Sequence, residues 1–187
     1  MHRFVKLFTG VSLIVVSTFA FGVFQSSHVV SAQTDTKALA QAWVDAQNAA
    51  IKSGDPTAYL ALYAPDYTDP NLPAGANAMD AVKQNITMIA TAFPDGKLEV
   101  KDIVATADKA AVYTVASGTN KGAFAGVPAT GKPFSGVNMI DILTFKNGKI
   151  VQDINVTDSL TLLAQIGWNI APPGGAGAMT PQATMGQ

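Results

Sequence analysis

The chain has 187 residues, a formal net charge of −1 at pH 7, no cysteine, two histidines and one arginine. Those counts exclude disulfides and cysteine-based zinc centres, and they leave little room for a Cys-His or Ser-His-Asp nucleophile. A mildly acidic chain with a single arginine is also a poor partner for a nucleic-acid backbone.

Met1 to Lys6 is positively charged through Arg3 and Lys6, an apolar run extends from Leu7 to Phe24, and QSSHVVSAQ follows. This is the three-part layout of a secretory signal, with Val30-Ser31-Ala32 as an A-x-A-like cleavage site. The alternative is an uncleaved N-terminal membrane anchor, because the run approaches the ~18 residues at which spanning becomes possible. On either reading the folded part lies outside the cytoplasm, secreted or periplasmic, and cleavage leaves no membrane contact. Residues 1–32 are thus expected to be a leader, 33–170 one domain, and 171–187 a disordered Pro/Gly-rich tail. The leader contains His2, His28 and Arg3, leaving ten lysines against thirteen carboxylates, a net charge of −3. Any catalysis in the mature domain must use Asp, Glu, Lys, Tyr, backbone amides or water.

TDTKALAQAWVDAQNAAIKSGD reads as an amphipathic helix, with Leu39, Trp43, Ala46 and Ala50 on its apolar face. Gly54 terminates it. DPTAYLALYAPD predicts a second helix, with Asp55 as N-cap, Pro56 at the first helical position and Pro65 as its stop. DYTDPNLPAGAN is a loop with room for a short strand. A third helix starts at Asn77, with Asp80 in a variant of the capping arrangement, and buries Met79, Val82, Ile86, Ile89 and Phe93. KLEVKDIVATA, KAAVYTVASGT, GKPFSGVNMIDILTF and KIVQDINVT are strands, rich in β-branched and aromatic residues. Asn147-Gly148 is a type I′ hairpin signal. DSLTLLAQIGW closes the domain as a short helix. Segregated helices and strands imply an α+β fold.

GVPATGKP, Gly126 to Pro133, matches seven positions of a phosphate-binding loop. Such a loop needs a helix after it and a Ser/Thr after the lysine. Pro133 and strand-like sequence follow instead, so the string is a connection between strands and not a nucleotide site.

Gly122, Phe124, Gly126, Pro128, Thr130, Gly131 and Lys132, then Asn147 to Ile150, then Leu162-Leu163 and Gln165-Ile166-Gly167 form a pattern. With FPDGKLEV, Phe93 to Val100, it resembles the SnoaL-like polyketide cyclase, or ester cyclase, family of the NTF2-like superfamily. The resemblance covers nearly all of residues 35–170. It implies a cone-shaped barrel: a bent, mostly antiparallel sheet wrapped by three N-terminal helices and a short C-terminal one around an apolar pocket. It also implies ring closure by intramolecular aldol condensation with a carboxylate acid/base and neither metal nor cofactor, and a homodimer formed through the outer sheet face.

Pairing continued regularly from the Asn147-Gly148 turn places Met139, Asp141, Leu143, Gln152 and Ile154 on one side of the sheet. Ile140, Ile142, Thr144, Val151, Asp153 and Asn155 fall on the other. The family often has Glu-His-Trp after G-K-I-V, where this chain has Gln152-Asp153-Ile154, and the aldol cyclases' acid/base Asp matches Asn155 here. An amide does not exchange a proton near neutral pH, so the catalytic candidates are Asp153 and Asp141, with Asp158 at a recurrent acidic position. Asp158 also reads as a plain helix N-cap. Trp43, Tyr63, Asp69, Gln152 and Asn155 are candidates for the pocket lining; Asp66 is the nearby alternative to Asp69. Lack of arginine and histidine disfavours the epoxide hydrolase and dehydratase chemistries of the superfamily. Two functions remain: a secreted acid/base enzyme acting on a small apolar carbonyl compound, or an NTF2-like protein that binds a small ligand without turnover.

Overall fold

The computed structural model describes residues 27–70, 72–124, 128–169 and 180–181. The expected leader therefore lies outside the described residues except for its last few. So does the expected tail, apart from Thr180-Pro181, which pair with Trp168-Asn169. Among the described residues no helix is long and apolar enough to cross a membrane.

Helix α1 (Ser27–Ser53) buries Ala40, Trp43, Val44, Gln47, Ala50 and Ile51, a stripe at three- and four-residue steps. Gly54 ends it at φ 75°, its N–H returning to Ala50. Helix α2 is only Thr57–Leu60, preceded by Asp55, whose carboxylate accepts from the Thr57 N–H and hydroxyl. The longer helix expected here is wrong from Ala61 on: Tyr63–Thr68 form strand β1. Pro65 inside a strand is tolerated because β1 is an edge strand, with one side unpaired. Helix α3 (Ala78–Ala92) starts as expected, with the Asn77 side chain accepting from Met79 and Asp80 N–H.

Strands β2 (Lys97–Ala105), β3 (Lys109–Thr119), β4 (Pro133–Lys146) and β5 (Lys149–Thr157) follow, and helix α4 (Ser159–Gln165) closes the domain. Asn147 and Gly148 turn at φ 52° and 74°, the positive values a two-residue type I′ hairpin needs. The main sheet runs β1-β5-β4-β3-β2, antiparallel except for the parallel β1–β5 pair. Register breaks interrupt the β2–β3, β3–β4 and β4–β5 ladders. Such bulges bend strands, and one face of the bent sheet joins α1 and α3 in a single apolar core.

Candidate functional site

The β4–β5 bulge decides what faces the interior. Phe145 pairs with Ile150, but Thr144 pairs with Gln152, so Val151 is an extra residue. One inserted residue turns every later side chain to the opposite face. The regular register expected from the hairpin turn is therefore corrected: Asp153 lies opposite Leu143 and Asn155 opposite Asp141. Asp141, Asp153 and Asn155 share one wall. Ile154 and Val156 join Ile142 and Ile140 on the outer face, where all four are exposed. Gln152, paired with Thr144, is on that side too and does not line the cavity.

That wall bounds a cavity of about 580 Å³ between sheet and helices. Phe93, Leu98, Phe134 and Val137 give it apolar sides, and Trp43 and Gln47 enter from α1. A second lobe of about 310 Å³ adjoins it, lined by Tyr59, Tyr63, Tyr67 and Asp69. Gln47, Tyr59, Asn85, Asp153 and Asn155 line both lobes and mark their junction.

Asp141 is 3% exposed, and its Oδ1 accepts from Asn155 Nδ2 at 2.6 Å. Its Oδ2 has no protein partner, and neither has Asp153 Oδ1. Burial raises the Asp141 carboxyl to about 6, opposed in part by the Asn155 bond. Burial, then the negative charges of Asp141 and Asp69, push Asp153 to about 8. Burial also lifts the hydroxyls of Tyr59 and Tyr63 far above the ordinary range, so both remain protonated. Trp43 Nε1 donates to the Tyr63 hydroxyl at 2.9 Å, and the Tyr59 and Tyr63 hydroxyls are 2.7 Å apart. Only one of these two O–H groups can be used in their mutual bond, so the other is a spare donor.

The candidate residues separate accordingly. Asp141, Asp153, Asn155 and Trp43 meet at the larger cavity, and Tyr63 and Asp69 lie in the smaller lobe. Asp158 stands apart as the α4 N-cap, its Oδ1 accepting from Thr161 N–H at 3.0 Å. Hydrogen bonding from the Thr161 side chain, and then from its backbone N–H, holds the carboxyl below the usual range, the opposite of what a proton donor near neutrality requires. Asp66 is exposed. Gln47 is a lining residue the sequence reading missed; Tyr59 and Tyr67 line the lobes too, although aromatic residues at helical spacing read first as core. The available signal for Gln47 was a polar side chain inside the Trp43–Ala50 apolar stripe.

The motif residues prove to be joints of the scaffold. Asn120, 1% exposed, accepts from Thr130 N–H and hydroxyl and pins the turn before β4, whose Gly126 lies outside the described residues. Gly122 fits against the last turn of α3, where a Cβ would strike the Thr91 carbonyl. Gln165 bonds the Ser135 backbone through both ends of its amide, at 2.8 and 2.9 Å. Gly167 lies under the Lys132 side chain. The segments around Lys132 and Gly167, far apart in sequence, are thus a single contact.

The profile of the SnoaL-like polyketide cyclase matches residues 40–166. Among solved structures, TsrD from Streptomyces laurentii is 32% identical, with a TM-score of 0.62, over 70% of this chain and 96% of that one. IdmH from Streptomyces antibioticus, a candidate polyketide cyclase, is 30% identical, with a TM-score of 0.55, over 68% and 96%. A SnoaL-like protein from Jannaschia sp. CCS1 shares the fold at 18% identity, with a TM-score of 0.63, over 72% and 92%. No curated protein matches the chain. The cavity, the α+β topology and the match over most of the domain agree: the chain belongs to the SnoaL-like polyketide cyclase family.

Proposed function

We propose that the protein is an exported, cofactor-independent enzyme that moves a proton on a small apolar carbonyl compound, with Asp141 as base and Asp153 as acid. One observation carries this reading: a buried carboxyl, Asp141, and a half-buried one, Asp153, stand on adjacent strands of one cavity wall, each with a buried oxygen that no protein donor reaches. At pH 7 Asp141, near 6, is mostly carboxylate, while Asp153, near 8, is mostly protonated. A base and an acid held at different protonation states on one wall suit enolisation. The Asp141 carboxylate takes a proton from the carbon beside a carbonyl. The Asp153 O–H donates to the carbonyl oxygen as negative charge gathers there, with the spare tyrosine O–H as a second donor. Asn155, at the position of the aldol cyclases' acid/base Asp, orients the base instead of serving as one. The apolar sides suit a small, mainly hydrocarbon substrate. The leader layout supports export, and the exposed Ile140, Ile142, Ile154 and Val156 support a homodimer through the outer sheet face.

The competing reading is a pocket that binds without turnover, and the amide at Asn155 favours it. Hydrogen–deuterium exchange at the α-carbon of 2-tetralone, followed by NMR in deuterated water, separates the two. The enzyme reading expects acceleration by the wild type and a loss of about 100-fold in Asp141→Asn, with a smaller loss in Asp153→Asn. Equal exchange by all three proteins would show the carboxylate mechanism to be wrong. Tight binding of 2-tetralone without accelerated exchange would establish the binding reading.

A further inference from the structure

The hydrogen-bonding need of the cavity is one-sided. Gln47 Oε1, Asp141 Oδ2 and Asp153 Oδ1 are buried on its lining with no partner. All three accept hydrogen bonds, and Gln47 is only 7% exposed. Apart from the Asp153 O–H and the spare tyrosine O–H, what the protein leaves unsupplied is donors.

Charge is one-sided as well. Asp141 and Asp153 face the lobes from β4 and β5. Among the described residues the salt bridges are Lys101–Glu99 and Lys121–Asp95, both on exposed side chains. Lys97, the one lysine among the described lining residues, is exposed at the start of β2. The two lobes receive Trp43 and Gln47 from α1, Asn85 from α3 and three tyrosines from α2 and β1, none of them cationic, and of these Gln47, Asn85 and Tyr59 stand at the junction. A buried carboxylate ordinarily has a counter-charge or a full set of donors.

We propose that the natural ligand carries a basic nitrogen, bound as an ammonium group at the junction of the lobes between Gln47, Asp141 and Asp153, with its apolar body in the larger cavity. An alkylammonium supplies up to three N–H donors and one positive charge, which meets both deficits at once. Tyr59, Tyr63 and Tyr67 stand in successive edge contacts, centroids 5.4 and 4.9 Å apart, and add π surface that attracts a cation. Among the described residues no three His, Cys, Asp or Glu side chains gather to hold a metal ion, which favours an organic cation. An amine entering as the free base takes the proton that Asp153 carries. The O–H bond breaks, an N–H bond forms and an ion pair results. Because an alkylamine is ammonium in solution at pH 7.5, the proton it gave up to enter as free base goes to solvent, so binding releases up to one proton overall. The ammonium then stands as proton donor in place of Asp153, and Asp141 remains the base. This rests on the enzyme reading for its chemistry and narrows the substrate to an apolar carbonyl compound bearing an amine.

The test compares 4-phenylbutylamine with 4-phenylbutan-1-ol, of nearly equal shape, by calorimetric titration of the full chain at pH 7.5. The amine is expected to bind about tenfold or more tightly. Gln47→Leu should weaken the amine more than the alcohol, and Asp153→Asn should erase the preference. Equal binding of both compounds, binding of neither, or a preference that survives both substitutions would overturn the proposal. The wild-type comparison needs no variant to fold. Asp141-dependent exchange of 2-tetralone without an amine preference removes this inference alone. An amine preference without exchange removes the catalytic reading and leaves the ligand class standing.

Discussion

Asn155 and Asp141 face each other across the β4–β5 ladder and are joined by a 2.6 Å bond from amide nitrogen to carboxylate. The bond opposes the effect of burial on Asp141. Thr157 donates in turn to Asn155 Oδ1 at 2.8 Å, which fixes which way the amide points. Removing the donor in Asn155→Leu should raise the Asp141 pKa above its value of about 6. A hydrogen bond to a charged group contributes about 1.5 kcal/mol, so the acidic limb of any pH–rate profile should move up by about one unit. A limb that stays in place would mean that Asp141 is not the group whose ionisation controls the rate.

The same carboxyls make stability depend on pH. Asp141 and Asp153 bind protons more tightly in the folded state than in the unfolded one. Between about pH 4 and 6 for Asp141, and about 4 and 8 for Asp153, the folded protein holds protons that the unfolded chain has lost. Stability from these two groups therefore falls as pH rises through that window and levels off above it. For Asp141 alone the rise corresponds to about 3 kcal/mol at most. Asp55, Asp95, Glu99 and Asp158 are held low and act in the opposite sense, but only in strong acid. Calorimetric Tm should drop by on the order of 10 °C from pH 5 to 9, and Asp153→Asn should flatten that slope and raise Tm at pH 9. Parallel curves for wild type and variant would show that Asp153 is not buried as a carboxyl.

Most of the fold was legible because its signals are local. Asn77 caps α3, Asn147-Gly148 turns β4 into β5, and Asp158 caps α4, each through a bond within three residues or a positive φ. The first half of strand Tyr63–Thr68, up to Pro65, reads as helix and the rest as a loop with room for a short strand, because its pairing partner is β5, more than eighty residues away. The error did little harm to the site: Tyr63 and Tyr67 are four apart, a spacing that shares a face in a strand as in a helix. The site itself was legible in composition but not in geometry. Asp141 and Asp153 are candidates by residue type and by their positions in the family pattern, yet a regular ladder puts them on opposite faces. The bulge at Val151 has no local signal, neither glycine nor proline. It lies where β5 also takes β1 as a parallel neighbour, with an irregular register of its own.

The family glycines lend themselves to a graded test, since each is constrained differently. Gly131, at φ 70°, has open space around its Cα, so Gly131→Ala meets only the backbone penalty, about 1 kcal/mol. Gly167, at φ 95°, adds a Cβ 2.5 Å from Lys132 Nζ, the movable end of a flexible chain. Gly167→Ala should cost about 2 kcal/mol, eased in part by Lys132→Ala. Gly122→Ala drives a Cβ into the Thr91 backbone, which cannot swing aside, and should be the most damaging, above about 3 kcal/mol. Urea unfolding gives the order. If Gly122→Ala proves the mildest, the close approach of residue 122 to α3 is wrong.

The outer sheet face yields the last prediction. Ile140 pairs with Val156 and Ile142 with Ile154, making two adjacent cross-strand apolar pairs with Val156 66% exposed. On the next strand Tyr113, paired with Ile140, continues the patch, and its hydroxyl donates to Asn138 at 2.7 Å. A contiguous apolar patch on a sheet is unusual for a surface that meets only water. If it is the face of a homodimer, a charge at its centre is buried against its own symmetry mate, because a twofold interface presents the same patch twice. Ile142→Lys should then convert a dimer to a monomer in sedimentation velocity, while Leu160→Lys, exposed on α4 and off the sheet face, should not. The cavity lies on the other side of the sheet, so ligand binding should survive in the monomer. A wild type that sediments as a monomer at about 100 μM, far above the Kd of a stable interface of standard size, would leave the patch to some other partner.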